Sequence, residues 1–182
     1  MDGLRGGALA LAAGLACSAG ALEQTMARDQ YRAGMDGIAD SYKSAKAACD
    51  SFSANAKDIC KAEASGRESV ARADLEARYK PSEDASYNLR VARAEADYSV
   101  SRARCDDKAG NVKDVCVKEA ISAAVAAKAD AKAQMKSADA RNDAAADKRG
   151  AAYAVAKEKC DAFAGDAKSN CMVEAKARFG KP

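Results

Sequence analysis

The sequence predicts an all-α, elongated protein built from antiparallel helical hairpins, each stapled by a disulfide near its turn. Three observations carry this. Ala makes up about a quarter of the chain, charged residues 31% and aromatics 5%, with no Trp and only two Pro. Ala, Lys, Arg and Glu are strong helix formers, and Pro, which would break helices, is nearly absent. The second observation is a motif that occurs three times. Cys pairs stand at 49 and 60, 105 and 116, 160 and 171, so the motif recurs after 56 and then 55 residues. Each copy has a Tyr seven residues before its first Cys (Tyr42, Tyr98, Tyr153) and a Glu-Ala starting three residues after its second (Glu63, Glu119, Glu174). A fixed period of this length marks a repeated supersecondary unit.

The third observation is geometric. Eleven residues along one unbroken helix separate two Cys by about 16 Å, whereas a disulfide needs Cα atoms within roughly 7 Å. A paired motif must therefore fold back between its cysteines. Gly110 and Gly165 suit a left-handed residue that ends a helix, with Ala54 in that place in the first copy. Asn55, Asn111 and Asp166 suit the N-cap of the helix that follows. Folding each copy about turns near 54–55, 110–111 and 165–166 sets Lys46 opposite Glu63, Arg102 opposite Glu119 and Lys157 opposite Glu174. The next layer outward is small throughout: Ala45 with Ala64, Ser101 with Ala120, Ala156 with Ala175. Small residues let two helices approach closely enough for a disulfide, and the expected pairs are Cys49 with Cys60, Cys105 with Cys116 and Cys160 with Cys171.

Taken in order, residues 1–21 read as a secretory signal peptide. Arg5 supplies a short basic region, Ala8 to Cys17 an apolar run, and Ala19-Gly20-Ala21 a small-residue cleavage motif. The run is too short to span a membrane. Cleavage after Ala21 removes Cys17 and leaves six Cys, an even number suited to disulfides in an oxidising compartment. Gly14-Leu15-Ala16-Cys17 is a poor lipobox, so lipid anchoring at Cys17 is not expected. Residues 22–182 then form one helical repeat domain.

The first helix is expected over Glu23 to Ser53, where Tyr31, Ile38, Tyr42, Cys49 and Phe52 recur at helical spacings and mark one buried stripe. The second runs from Ala56 to Tyr79. A break is expected near 80–82, because Pro81 disfavours helix at Lys80 and starts a new helix well. Glu83 and Asp84 then complement the dipole of the third helix, which carries Tyr87, Val91, Tyr98 and Cys105. Between Val112 and Ala164 there is no Pro and Gly150 is the one Gly, so the segment is either a single long helix or one bent near 137–142. A short last helix is expected over Ala167 to Phe179, ended by Gly180. Large apolar side chains are sparse, so burial contributes little and the disulfides compensate for a poor core.

Tyr-x6-Cys-Asp-x9-Cys-x2-Glu-Ala, repeated, with a closing Ala175-Lys-Ala-Arg-Phe-Gly180-Lys, resembles a family of small secreted Ala/Lys-rich helical proteins of Gram-negative bacteria, often labelled hypothetical or as TolA-like cell-envelope proteins. The resemblance covers nearly the whole chain after the signal. It implies a periplasmic address and supplies no catalytic residue.

No His occurs anywhere in the sequence, which removes the commonest general base and metal ligand. No phosphate loop, nucleophile motif or paired catalytic carboxylate stands out, and the protein reads as a non-enzyme without cofactor. With a net charge of +3 and alternating signs, the chain has no basic stripe for nucleic acid. Asp50, Asp106 and Asp161 each follow a Cys and read as turn-proximal acids accepting a local hydrogen bond. The three repeated Tyr read as packing over the hairpins. The expected function is a periplasmic structural or protein-interaction role in the cell envelope, with stress as a setting and an undefined protein or envelope partner. Two other classes compete. A thiol-based metal or redox protein would use the Cys, although structural zinc and redox pairs favour much closer Cys spacing. A chaperone-like cradle would need an exposed apolar concave face.

Overall fold

The computed structural model describes residues 26–181; the expected signal peptide and Cys17 lie outside that range. Five α-helices follow one another: α1 (Arg28–Ala48), α2 (Ala54–Tyr79), α3 (Glu83–Arg104), α4 (Gly110–Cys160) and α5 (Gly165–Phe179). A 3-10 turn over Cys49–Ser51 closes α1. There is no strand among the described residues, so the all-α class holds.

Each helix packs only on its neighbours in sequence: α1 on α2, α2 on α3, α3 on α4, and α4 on α5. Consecutive helices run antiparallel. Cys49 and Cys60 meet at one end of the α1/α2 pair, and Tyr31 stacks on Tyr79 at the other, with ring centroids 4.3 Å apart. Tyr31 also donates its hydroxyl hydrogen bond to Glu76 at 2.8 Å. The chain thus folds as a zigzag in which no helix is enclosed on all sides.

The helix boundaries follow local chemistry. Ser82 caps α3, its hydroxyl accepting from the Ala85 N–H at 3.0 Å, and Glu83 and Asp84 occupy the first turn. The break before it comes where Pro81 is expected to place it. Gly180, left-handed at φ 61°, ends α5. α1 closes at Ala48, earlier than the expected Ser53, because the staple draws Cys49 to Ser51 into the tighter 3-10 turn. α4 is continuous through the 137–142 stretch and ends at Cys160, short of Ala164. Its 51 residues span about 76 Å. No Pro or Gly interrupts it between Asn111 and Gly150, and Ala and Lys in its middle carry the helix through.

The buried apolar residues among those described are Cys49, Cys105, Cys160, Leu75 and six alanines: Ala64, Ala85, Ala94, Ala120, Ala131 and Ala175. Leu75 alone is larger than a Cys. It packs over Gly34, where a Cβ would lie 2.9 Å from a Leu75 methyl. α2 and α3 approach so closely that a Cβ on Gly66 would come within 2.8 Å of the Ala96 Cβ and 3.3 Å of its Cα. Contacts this small bury little apolar surface, which leaves a thin core.

The turns use one backbone solution. Ala54, Gly110 and Gly165 all adopt left-handed φ values, 48°, 53° and 54°. Gly takes this conformation freely, whereas an L residue with a Cβ is strained by about 1–2 kcal/mol. Ala54 is the one non-Gly residue with positive φ among those described. Ala54→Gly is therefore expected to stabilise the protein by about 0.5–1 kcal/mol, after the entropy that Gly adds to the unfolded chain is set against the strain relieved. Gly110→Ala should destabilise by a similar or larger amount. Denaturant unfolding of both variants checks this, and a destabilised Ala54→Gly would contradict it.

Candidate functional site: the stapled turns

The residues that repeat most faithfully converge at the three turns. Disulfides join Cys49 to Cys60, Cys105 to Cys116 and Cys160 to Cys171, with Cα–Cα distances of 5.6, 5.7 and 5.6 Å. In every copy the first cysteine's carbonyl accepts a backbone hydrogen bond three residues on: from Phe52 at 3.1 Å, Lys108 at 3.0 Å and Phe163 at 3.1 Å. The residue before each left-handed position is extended, with φ −125° at Ser53, −129° at Ala109 and −127° at Ala164. The chain leaves one helix in a 3-10-like turn, extends for a residue, swings left-handed and enters the next helix.

This corrects the expected caps. Asn55, Asn111 and Asp166 sit inside the first turn, and the cap positions fall to Ser53, Ala109 and Ala164, none of which makes a side-chain cap bond. The physical reason is the left-handed residue, which precedes the Asn or Asp and displaces the helix start by two positions. The Asn55 amide is turned inward and has no hydrogen-bond partner in the protein.

A salt bridge beside each disulfide repeats with the motif. Asp50 meets Lys57 at 2.9 Å, Asp106 meets Lys113 at 2.9 Å, and Asp161 meets Lys168 at 2.7 Å. Each joins the acid after the first Cys to a Lys in the first turn of the next helix, bridging the turn. The hydrogen bond from Lys57 holds the Asp50 carboxyl below its usual value. The one from Lys168 does the same for Asp161. Asp106 is lowered by Lys113 and then by Arg102, which binds it from its own helix at 2.7 Å. The sequence reading saw the acids but not their partners. The signal was there: a Lys stands eight residues after the first Cys in every copy, at 57, 113 and 168.

The facing pairs expected one layer further out do not form ion pairs. Arg102 turns to Asp106, and Glu63 meets Arg104 of α3 at 3.4 Å and Arg67 at 3.8 Å. Lys46 lies over the Tyr42 ring, 5.8 Å from its centroid. No salt bridge is formed by Glu119, Lys157 or Glu174 among the described residues. The layer that faces across each hairpin is the Ala that follows the Glu: Ala64, Ala120 and Ala175 are buried. A step of one residue rotates a side chain about 100° around the helix, so the Lys and Glu point sideways.

The repeated tyrosines are half-buried. Tyr42 borders the hollow between α1 and α2, with Ala45, Ala64 and Ala71. Tyr98 borders the one between α3 and α4, with Ala120, Ala123, Ala124 and Ala127. Tyr153 meets Phe179 edge-on at 6.2 Å. Tyr42 and Tyr98 thus line the space that the Ala layers leave open.

Chemically, the turn offers a constrained loop and a neutralised acid. All six described cysteines are joined in disulfides and carry no thiolate. No group of three or more potential metal-ligating side chains occurs among the described residues. No helix described is long and apolar enough to cross a membrane. The arrangement defines an all-α protein whose helices are stapled by disulfides. No protein-family model matches the chain, and no curated protein and no solved structure matches it either.

Because Asp106 sits below its usual range when folded, its contribution to stability is complete above the ordinary carboxylate range. It is lost as pH falls through the lowered folded value. Lys113→Met should raise the Asp106 carboxyl toward about 3.9, the unperturbed value. It should also lower the melting temperature at neutral pH, with the difference from the parent vanishing in strong acid. NMR titration of the Asp106 carboxyl reads the shift directly, and an unchanged titration curve would rule out the turn-bridging role of Lys113.

Proposed function

We propose that the protein is exported to the periplasm and serves as a structural or protein-interaction element of the cell envelope. The observation that carries this is the set of three local disulfides in a chain with almost no large-residue core. Disulfides form and persist in oxidising compartments such as the periplasm, and a thin helical zigzag depends on them for stability. The signal-like residues 1–21 agree with export, and the resemblance to small secreted Ala/Lys-rich proteins agrees with the same address. A long helix with most of its circumference exposed provides contact surface, whereas nothing in the stapled turns assembles a nucleophile with a base. The partner is a protein or envelope component that reads a helical surface.

Mass spectrometry of the periplasmic fraction is expected to find a mature chain starting at Leu22, without lipid and with all six cysteines oxidised. Crosslinking in intact cells should then capture an envelope protein. A chain retaining Met1 in the cytoplasm with free thiols, or a diacylated Cys17, would overturn the reading.

A further inference from the structure

The two sulfurs of each staple are not equivalent, and the difference repeats in all three copies. The first cysteine of each pair is enclosed: Cys49, Cys105 and Cys160 are 0%, 1% and 1% exposed. The second is only half-buried, at Cys60, Cys116 and Cys171 alike. The cause lies in the turn. Each first cysteine stands at a helix end, Cys49 after α1, Cys105 after α3 and Cys160 as the last residue of α4, and the fold-back encloses it. Each second cysteine stands in the second turn of the helix that follows. A helix covers its own backbone with its own turns, so a helical cysteine that is partly exposed exposes its side chain. The staple is therefore open on the side of Cys60, Cys116 or Cys171 and closed on the other.

This asymmetry has a chemical consequence. A disulfide is opened by a thiolate that attacks one sulfur and expels the other, and access decides which sulfur is attacked. The attack runs in line with the S–S bond, from beyond the sulfur that is struck. A thiolate aimed at Cys49, Cys105 or Cys160 must therefore come through the enclosed side. One aimed at Cys60, Cys116 or Cys171 comes from the helix surface. The expelled sulfur also has a partner in place. Cys49 Sγ lies 3.3 Å from the Ala45 carbonyl oxygen, and Cys105 Sγ lies 3.2 Å from that of Ser101. In the disulfide these sulfurs carry no hydrogen. Once expelled and protonated, each donates its S–H to that oxygen. A sulfur still half-covered by its hairpin admits a small thiol more readily than one carried on a folded protein.

We propose that each staple undergoes thiol–disulfide exchange through one sulfur only, that of Cys60, Cys116 or Cys171, where a small thiol forms its mixed disulfide and leaves Cys49, Cys105 or Cys160 as a buried free thiol. The inference rests on the geometry of the staples and not on the envelope role. In the first step the incoming thiolate bonds to the Cys60 Sγ, and the bond between Cys60 and Cys49 breaks. The electron pair leaves on the Cys49 sulfur, which takes a proton from water. In the second step another thiolate attacks the sulfur of the bound small thiol and releases Cys60, which is protonated in turn. Two small thiols are oxidised to their disulfide, and one staple is reduced. The other two staples follow the same course.

The test uses the oxidised chain as purified and reduced glutathione as the small thiol, at neutral pH without denaturant. Acid stops the exchange, a maleimide caps the free thiols, and mass spectrometry maps the peptides. Glutathione is expected on Cys60, Cys116 and Cys171, with the maleimide on Cys49, Cys105 and Cys160. This placement should exceed the reverse one about tenfold. The same reaction in strong denaturant opens both sulfurs, and there the excess should largely disappear. Circular dichroism recorded alongside shows that the chain is still helical while the first adducts form. Glutathione found on the first cysteines of the folded chain contradicts the proposal. An equal split does so as well, because exchange then passes through the unfolded chain, and so does a folded chain that takes up no glutathione at all. None of these outcomes bears on whether the protein reaches the periplasm.

Discussion

The structure depends on a covalent bond across each fold-back turn. Cys49, Cys105 and Cys160 are the largest side chains less than 2 % exposed among the described residues, and each is tied to a cysteine eleven residues later. In an ordinary helical domain, leucines and aromatics would hold adjacent helices together. Here their place is taken by Ala64, Ala120 and Ala175, one turn beyond each second cysteine. These layers allow close approach but supply little free energy of their own. A disulfide closing a loop of this length contributes about 3 kcal/mol by restricting the unfolded chain, comparable to burying a large apolar side chain. In the folded chain the staple holds the turn, the turn fixes the antiparallel register, and the register keeps the small layers together.

The turn chemistry is repeated more strictly than the packing. All three copies carry the left-handed residue, the bond to the first cysteine's carbonyl and the Asp–Lys bridge, while the helices around them differ widely in length. α4 has 51 residues and α5 has 15. The aromatic supports also differ, a Tyr31–Tyr79 stack in one place and a Tyr153–Phe179 edge contact in another. The turn is the conserved unit within this chain, and the helices are arms of variable reach. Length without enclosure leaves surface, and α4 keeps a whole side free.

The helical class and the fold-back turns were legible because they rest on local signals. Ala-rich composition specifies helix, Pro81 specifies a break, and two cysteines too far apart for one helix specify a turn. The left-handed position was legible as well, even where Ala54 fills it, because the copies align. What failed was placement to within one or two residues. Matching Lys46 with Glu63 used the correct axis of fold-back but the wrong layer, since the small residue one step along points inward and the charged one sideways. The caps failed because a left-handed residue shifts the helix start, which the pattern of Asn and Asp does not encode. The Asp–Lys bridges needed two positions to be read together across a turn. Whether α4 bends was undecided in sequence, since Ala and Lys favour helix without stating a direction.

The central claim is that the disulfides take the place of a core. Thermal unfolding of the oxidised protein, beside the same protein reduced and alkylated, tests it most directly. The account predicts a large loss of helicity and of cooperative unfolding on reduction, greater than Ala-rich helices of these lengths would show if tertiary packing sustained them. A reduced protein that unfolds cooperatively within a few degrees of the oxidised one would contradict it.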